Sequence, residues 1–105
     1  GAEKLKKLLA DLRANVPSEI GGYKVIKYQD FRTAKSLENG VETDIVGFDK
    51  SDVLKYFLED GSWIAIRPSG TEPKCKFYYC IKGKDQRDVE TKKEKYFKAI
   101  EEMTK

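Results

Sequence analysis

Hydrophobic positions near both ends of the chain repeat at the spacing of an amphipathic helix. Over residues 3–16, leucines and a valine recur every three or four positions, and charged side chains fill most of the others. That period places the apolar residues on one side of a helix. A second helix is predicted after Gly83, with Asp85 as its N-cap. Its apolar side carries Val89, Tyr96, Phe97, Ile100 and Met103.

Four strands are predicted between the two helices. Strand-favouring residues fill 23–30, and apolar and polar residues alternate over 74–82. The other two strands belong to a hairpin between these segments. Residues 31–51 have few periodic apolar positions, so they are predicted to be a long loop.

The hairpin is predicted around Asp60-Gly61. This dipeptide suits a two-residue type I′ turn, so residues 53–59 and 62–67 are expected to pair. In that register one face carries Leu54, Tyr56, Leu58, Trp63, Ala65 and Arg67. The other face carries Val53, Phe57, Ile64 and Ile66. Both faces are then apolar, and we expect the second to be covered by another part of a larger molecule. A slip of one residue would exchange the faces.

The element order α-β-loop-β-β-β-α predicts an α+β domain with two layers. One layer is a four-stranded antiparallel sheet, and the other consists of the two helices on one side of it. The 105 residues fit one domain, and 39% hydrophobic residues are enough for a folded core. No apolar run approaches the ~20 residues that a membrane helix needs.

Composition excludes several chemistries. The chain has no histidine, so imidazole serves neither as a base nor as a metal ligand. Its 21 basic and 18 acidic residues give a net charge of +3, which is too small to indicate nucleic-acid binding by itself. Cys75 and Cys80 are five positions apart in one predicted strand and therefore face opposite sides. We expect reduced thiols in a cytoplasmic protein.

Residues 67–74, Arg-Pro-Ser-Gly-Thr-Glu-Pro-Lys, lie between two predicted strands and have the composition of an anion-binding loop. The Arg67 guanidinium is a planar fork of donors, and Ser69 and Thr71 add hydroxyl groups. Gly70 allows the backbone N–H groups to approach a ligand closely. By residue type alone, an ordinary β-turn fits equally well. Neither a Walker A motif nor a dinucleotide-binding fingerprint is present.

The order of these eight residues resembles the phosphate-binding loop of the α-D-phosphohexomutases, the phosphoglucomutase and phosphomannomutase family. Residues 52–63 also resemble its bacterial phosphoglucomutase branch. In this family the loop belongs to the fourth, C-terminal domain. The resemblance implies that residues 1–105 are a single phosphate-binding domain of a larger mutase whose N-terminal domains are absent. It also implies a fold like that of the TATA-box-binding protein.

The resemblance further implies a role for each matching residue. Arg67, Ser69, Gly70 and Thr71 would hold the phosphate of a glucose or mannose 1- or 6-phosphate, or of the bisphosphate intermediate. Lys76 stands where many relatives carry a second basic residue, often arginine. The full-length enzyme would be an isomerase of carbohydrate metabolism in the cytoplasm, and this domain would dock against its other domains.

The family's serine loop, magnesium loop and sugar-binding loop are missing from these residues. We therefore expect no catalytic residue, metal or cofactor in this fragment, which alone would be inactive. The resemblance implies Mg²⁺ for the full-length enzyme, bound in another domain. The sequence does not indicate which sugar the full-length enzyme prefers.

A nucleic-acid-binding module is the alternative. It would use a basic, aromatic sheet face on which bases stack beside a phosphate track. The candidate residues are Trp63, Lys74, Lys76, Tyr78 and Lys82. Acidic residues on both helices would interrupt a continuous basic surface, which argues against this alternative.

Overall fold

The computed structural model describes residues 2–47, 51–68 and 75–103. In chain order the elements are α1 (Ala2–Ala14), β1 (Glu19–Ile20), β2 (Tyr23–Asp30), β3 (Lys35–Glu38), β4 (Val41–Asp44), β5 (Leu54–Leu58), β6 (Trp63–Pro68), β7 (Cys75–Cys80) and α2 (Gln86–Met103). The strands form one antiparallel sheet in the order β4-β3-β2-β5-β6-β7, and β1 pairs with β2. The α+β class with two helices and an antiparallel sheet is confirmed, but the prediction of four strands is wrong.

The segment predicted as a long loop contains the hairpin of β3 and β4. Asn39 and Gly40 both have positive φ angles, 53° and 78°, as a type I′ turn requires. All four residues of β4 are exposed, and Ser36 is the one buried residue of β3. Because the hairpin buries so little, its sequence lacks the alternation by which a half-buried strand is detected. The prediction of a loop over residues 31–51 is therefore wrong for these two strands.

The turn between β5 and β6 is one residue longer than predicted. The Leu58 N–H donates to the Ser62 carbonyl at 2.8 Å, and the Gly61 N–H donates to the Leu58 carbonyl at 3.0 Å. With Gly61 at φ +89°, this is a type I turn followed by a glycine bulge. Asp60 accepts the Ser62 N–H at 2.9 Å, a local bond that suits a type I turn.

The longer turn corrects the predicted faces. Leu54 pairs with Ile66, and Tyr56 pairs with Ile64. Residues directly opposite each other in an antiparallel pair share a face. Trp63, Ala65 and Arg67 therefore lie on the face of Phe57, not on that of Leu54 as predicted.

Both helices pack on the same face of the sheet. The core residues of the helices are Leu9, Leu12, Tyr96 and Ile100, and those of the sheet include Tyr28, Leu54, Tyr56, Leu58, Ile64 and Ile66. Burying one large apolar side chain contributes about 1.5–3 kcal/mol, so this layer provides most of the driving force for folding. Neither helix in the described ranges is long and apolar enough to span a membrane.

Strand β7 and helix α2 lie where they are predicted, but Phe97, predicted on the apolar side of α2, is 44% exposed. Cys75 packs against the core from the helix side, whereas Cys80 pairs with Trp63 on the opposite face, and both thiols are free. The Asp88 N–H donates to the Asp85 side chain at 2.8 Å, which confirms Asp85 as the N-cap of α2.

A polar network centred on Asp60 joins α2 to the β5–β6 turn. Its carboxylate accepts hydrogen bonds from the Tyr96 hydroxyl at 2.7 Å and the Ser62 hydroxyl at 3.0 Å, and the Lys92 ammonium lies 3.0 Å away. Lys92 also donates to the Lys82 carbonyl at 2.8 Å, and the Lys82 N–H donates to Ser62 Oγ at 2.9 Å. These bonds satisfy a buried carboxylate and a buried ammonium together.

The network lowers the pKa of Asp60. Burial alone would raise the pKa of this carboxyl, but hydrogen bonds from Tyr96, Ser62 and Lys92 hold it below its ordinary value. A carboxyl whose folded-state pKa is depressed stabilises the fold above its unfolded-state pKa. That stabilisation is lost as the pH falls through the folded-state pKa.

We expect Asp60→Asn to lower the free energy of unfolding by about 2 kcal/mol at pH 7, because charge-assisted hydrogen bonds are lost. The deficit relative to wild type should shrink as the pH falls below the ordinary carboxyl pKa of about 4, because Asp60 of the unfolded wild type is protonated there before Asp60 of the folded state. Urea unfolding at pH 7, 4 and 3 measures both effects. Asp11→Asn, at an exposed position of α1, is the control. A deficit that stays constant from pH 7 to pH 3 would contradict the assignment.

Candidate functional site

The sheet face opposite the helices carries aromatic and basic side chains. We call this surface the open face. Strand pairing assigns to it Lys27, Lys55, Phe57, Trp63, Ala65, Arg67, Lys76 and Tyr78. Phe57 and Trp63 are half-buried and Tyr78 is 44% exposed, although the described helices pack on the other face.

Two cations face each other at one end of this surface. Arg67 lies near the end of β6, Lys76 lies near the start of β7, and the two residues are direct cross-strand partners. Side chains so placed have Cβ atoms about 4.5–5.5 Å apart, and like charges in this position destabilise a sheet. Both residues are exposed, and neither forms an ion pair with a carboxylate in the described part of the chain. A bound anion would remove this repulsion.

The structure brings together two of the five predicted phosphate ligands. Arg67 and Lys76 flank the two ends of the predicted loop. Ser69, Gly70 and Thr71 lie outside the described residues, so their role stays a prediction. Lys74, a candidate of the nucleic-acid alternative, also lies outside them.

Lysine side chains lie over the aromatic rings of the open face. The Lys55 ammonium is 4.2 Å from the Trp63 ring centroid and 4.9 Å from that of Phe57. Lys27 approaches the Phe57 ring at 5.3 Å. These distances are typical of cation–π interactions. The sequence analysis missed Lys27 and Lys55, because the predicted turn assigned Phe57 and Trp63 to opposite faces.

A groove of about 320 Å³ lies on the open face next to the two cations. It is lined by Phe31, Ser51, Val53, Lys55, Trp63, Ala65 and Tyr78. Ala65 pairs with Tyr78, and the pair of Arg67 with Lys76 is the next on the same face. The groove and the cations therefore form one continuous surface.

Arg13 fixes the same end of the sheet from the helix side. Its Nε donates to Asp30 Oδ2 at 3.0 Å, and its Nη2 donates to Asp52 Oδ1. Burial lowers the pKa of Arg13, but the hydrogen bonds that it donates to the two carboxylates, and their negative charges, raise its pKa above the ordinary value. Nothing in the sequence pattern marked these three residues, which are far apart in the chain. The carboxylates of Asp30 and Asp52 are both bound to Arg13.

In the ranges that the structure describes, no three Asp, Glu, Cys or His side chains are grouped as metal ligands.

Comparisons with known proteins agree on one family. The model of the family described as "Phosphoglucomutase/phosphomannomutase, C-terminal domain" matches residues 3–99. The chain is 40% identical over 83 residues to a phosphoglucomutase of Staphylococcus epidermidis, which covers 77% of this chain. It is 40% identical over 87 residues to a probable phosphomannomutase of Haemophilus influenzae, and 37% identical over 93 residues to a phosphoglucomutase of Staphylococcus aureus. These cover 83% and 88% of this chain.

The matched region spans only 15% of the first two relatives and 17% of the third. The comparison with solved structures gives no match. Likeness to the TATA-box-binding protein therefore stays a prediction.

We expect Lys76→Gln to raise the free energy of unfolding by up to about 0.5–1 kcal/mol at low ionic strength, because it removes one of two like charges that face each other. Urea unfolding in dilute, phosphate-free buffer measures the gain, and 1 M NaCl should abolish it by screening. Lys95→Gln, at an exposed position of α2, is the matched control and should change stability little. A loss of stability in Lys76→Gln at low salt would show that Lys76 has a favourable partner.

Proposed function

The chain belongs to the C-terminal domain family of phosphoglucomutases and phosphomannomutases, and from this membership we propose that it is the phosphate clamp of a phosphohexomutase. The clamp holds one phosphate of a hexose phosphate while a phosphoserine in another domain exchanges a phosphoryl group with the sugar. The substrates would be glucose or mannose 1- and 6-phosphates and their bisphosphate intermediate. The substrate and the activity of the whole protein are part of this proposal.

The pairing of Arg67 with Lys76 carries the proposal. A phosphate monoester has up to two negative charges near neutral pH, which two adjacent cations can balance. The guanidinium offers two parallel N–H donors to two phosphate oxygens, whereas the ammonium contributes a compact charge. Ser69, Gly70 and Thr71 would add hydroxyl and backbone N–H donors between them.

The clamp contributes binding and orientation, and it breaks no bond. Holding the phosphate that is not being transferred fixes the position of the reacting sugar oxygen relative to the phosphoserine. Part of the entropic cost of aligning these two groups is therefore met when the substrate binds. We propose no catalytic residue in this fragment and expect the fragment alone to be inactive. As the resemblance implies, the Mg²⁺ of the full-length enzyme would be bound in another domain.

The enzyme would act in the cytoplasm, and this domain would dock against the other domains of the same polypeptide. The bisphosphate intermediate must turn over so that its two phosphates exchange places. A clamp of moderate affinity on a separate domain suits that step, because it can release and bind again. The comparisons give no support to the nucleic-acid alternative.

We expect the 105-residue chain to bind inorganic phosphate or glucose 1-phosphate with a Kd near 1 mM. Three or four charge-assisted contacts, each worth ~1.5–3 kcal/mol at best, are offset by association and ordering costs of about 4 kcal/mol or more. The remainder, about −4 kcal/mol, corresponds to millimolar binding. Titration of the ¹⁵N-labelled chain, followed at the Arg67 and Lys76 amides and at those of 69–71, measures the Kd.

Arg67→Met should weaken phosphate binding about tenfold or more, because it removes a bidentate donor. The control is Arg87→Met, at an exposed position on α2. It changes the net charge by the same amount as Arg67→Met and should leave the Kd for phosphate unaltered. If the amides near Arg67 show no chemical-shift change at tens of millimolar phosphate, the proposed clamp is wrong. Equal weakening in both variants would indicate a general effect of net charge.

A further inference from the structure

The strand pair of β5 and β6 is tied to the helix layer at both of its ends. At the turn, the Asp60 network joins the pair to α2. At the opposite end, Arg13 of α1 donates to Asp52, which lies two residues before β5 begins. The cations Arg67 and Lys76 lie at this second end. One of the two attachments is therefore next to the proposed phosphate clamp, and the other is remote from it.

Asp52 lies where the three strands β5, β6 and β7 meet the end of the sheet. Strand β5 begins at Leu54, which pairs with the residue before Arg67. Burial raises the pKa of Cys75, the first residue of β7, and the negative charge of Asp52 raises it further. The Asp52 carboxylate is therefore close to the strand that carries each of the two cations.

The β6–β7 ladder needs support at this end from outside the two strands. Arg67 and Lys76 form the last pair but one of the ladder, and like charges in direct opposition push the strands apart. Pro68 belongs to the last pair and has no N–H to donate. The ion pair of Arg13 with Asp52 supplies such support from the helix side of the sheet.

The same guanidinium binds a second carboxylate, which provides an internal comparison. Arg13 Nε lies 3.0 Å from Asp30 Oδ2, and Asp30 also accepts the Arg32 N–H at 3.0 Å. Asp30 is the last residue of β2, and β2 lies on the other side of β5 from β6. Of the two carboxylates that share Arg13, Asp52 is thus the one that adjoins the strands of the clamp.

We propose that Asp52 is a positioning residue of the phosphate clamp: held by Arg13, it keeps the two cations at the spacing that a phosphate requires. The inference rests on the proposed phosphate clamp and adds a residue that does not contact the ligand. Asp52 acts from the helix side of the sheet, whereas the phosphate lies on the open face. Residues that hold a binding group in place preorganise a site, so their loss lowers affinity although every direct contact remains available.

Charge and positioning predict opposite effects of removing this carboxylate. A negative charge near a bound phosphate repels it, so the loss of that charge would by itself tighten phosphate binding. Loss of a positioning residue weakens binding. The direction of the change in Kd therefore separates the two effects.

The test compares three substitutions of aspartate by asparagine in the 105-residue chain, which change the net charge equally. Asp52→Asn should raise the Kd for inorganic phosphate about three- to tenfold, less than the roughly 10–100-fold typical of residues that orient metal ligands, because both cations stay in place. Asp30→Asn and Asp60→Asn should leave this Kd unaltered. Each should nevertheless lower the urea midpoint at least as much as Asp52→Asn, because their side chains are 9% exposed and that of Asp52 is 41% exposed.

The Kd is measured by titration of the ¹⁵N-labelled variants, and circular dichroism detects any variant that fails to fold. The two controls are independent, so one remains if the other is unfolded. Asp52→Ala is the second variant that lacks the carboxylate, and it should weaken binding as Asp52→Asn does. The conservative variant Asp52→Glu keeps a carboxylate within reach of Arg13 and should retain most of the affinity for phosphate.

Three results would overturn the inference. If Asp52→Asn binds phosphate as tightly as wild type, or more tightly, the carboxylate does not position the cations, while the clamp stands. If all three asparagine variants weaken binding in proportion to their loss of stability, the effect belongs to the fold as a whole. If the wild type itself shows no change at the amides near Arg67, the clamp fails and its positioning residue fails with it.

Discussion

The register between β5 and β6 determines what each face of this sheet can do. It depends on a turn in which Gly61 forms a bulge and Asp60 binds Ser62, Tyr96 and Lys92. One residue fewer in that turn would direct Arg67 into the helix layer. The same carboxylate thus sets the strand pairing and attaches α2, so the core and the open face share one anchor.

The sequence pattern predicted the elements that bury a regular apolar side. Both helices and β7 have such a side, and the N-cap Asp85 has a local signature. The hairpin of β3 and β4 escaped prediction because it buries almost nothing. The register of β5 and β6 escaped it because Asp60-Gly61 fits two turn types. The choice between them depends on contacts from a helix more than thirty residues away, which a local pattern does not contain.

For the site, sequence and structure contribute different parts. The order of residues 67–74 led to the family through resemblance, although an ordinary turn fitted the same residue types. The structure adds that Arg67 faces Lys76 across two strands. It also shows that the aromatic side chains of Trp63 and Tyr78 lie on the same face, next to these two cations. Neither fact follows from spacing alone, since both require the correct turn length. The Arg13 contacts to Asp30 and Asp52 needed three distant segments to be brought together.

The opposition of Arg67 and Lys76 also has a thermodynamic consequence. An anion that lodges between these cations would bind the folded chain and not the unfolded one, so its binding free energy would add to the stability of the fold. At ten times the Kd this linkage amounts to about 1.4 kcal/mol. Part of the free energy of folding would then come from binding of the anion, and the domain would be more rigid with the anion bound than after its release.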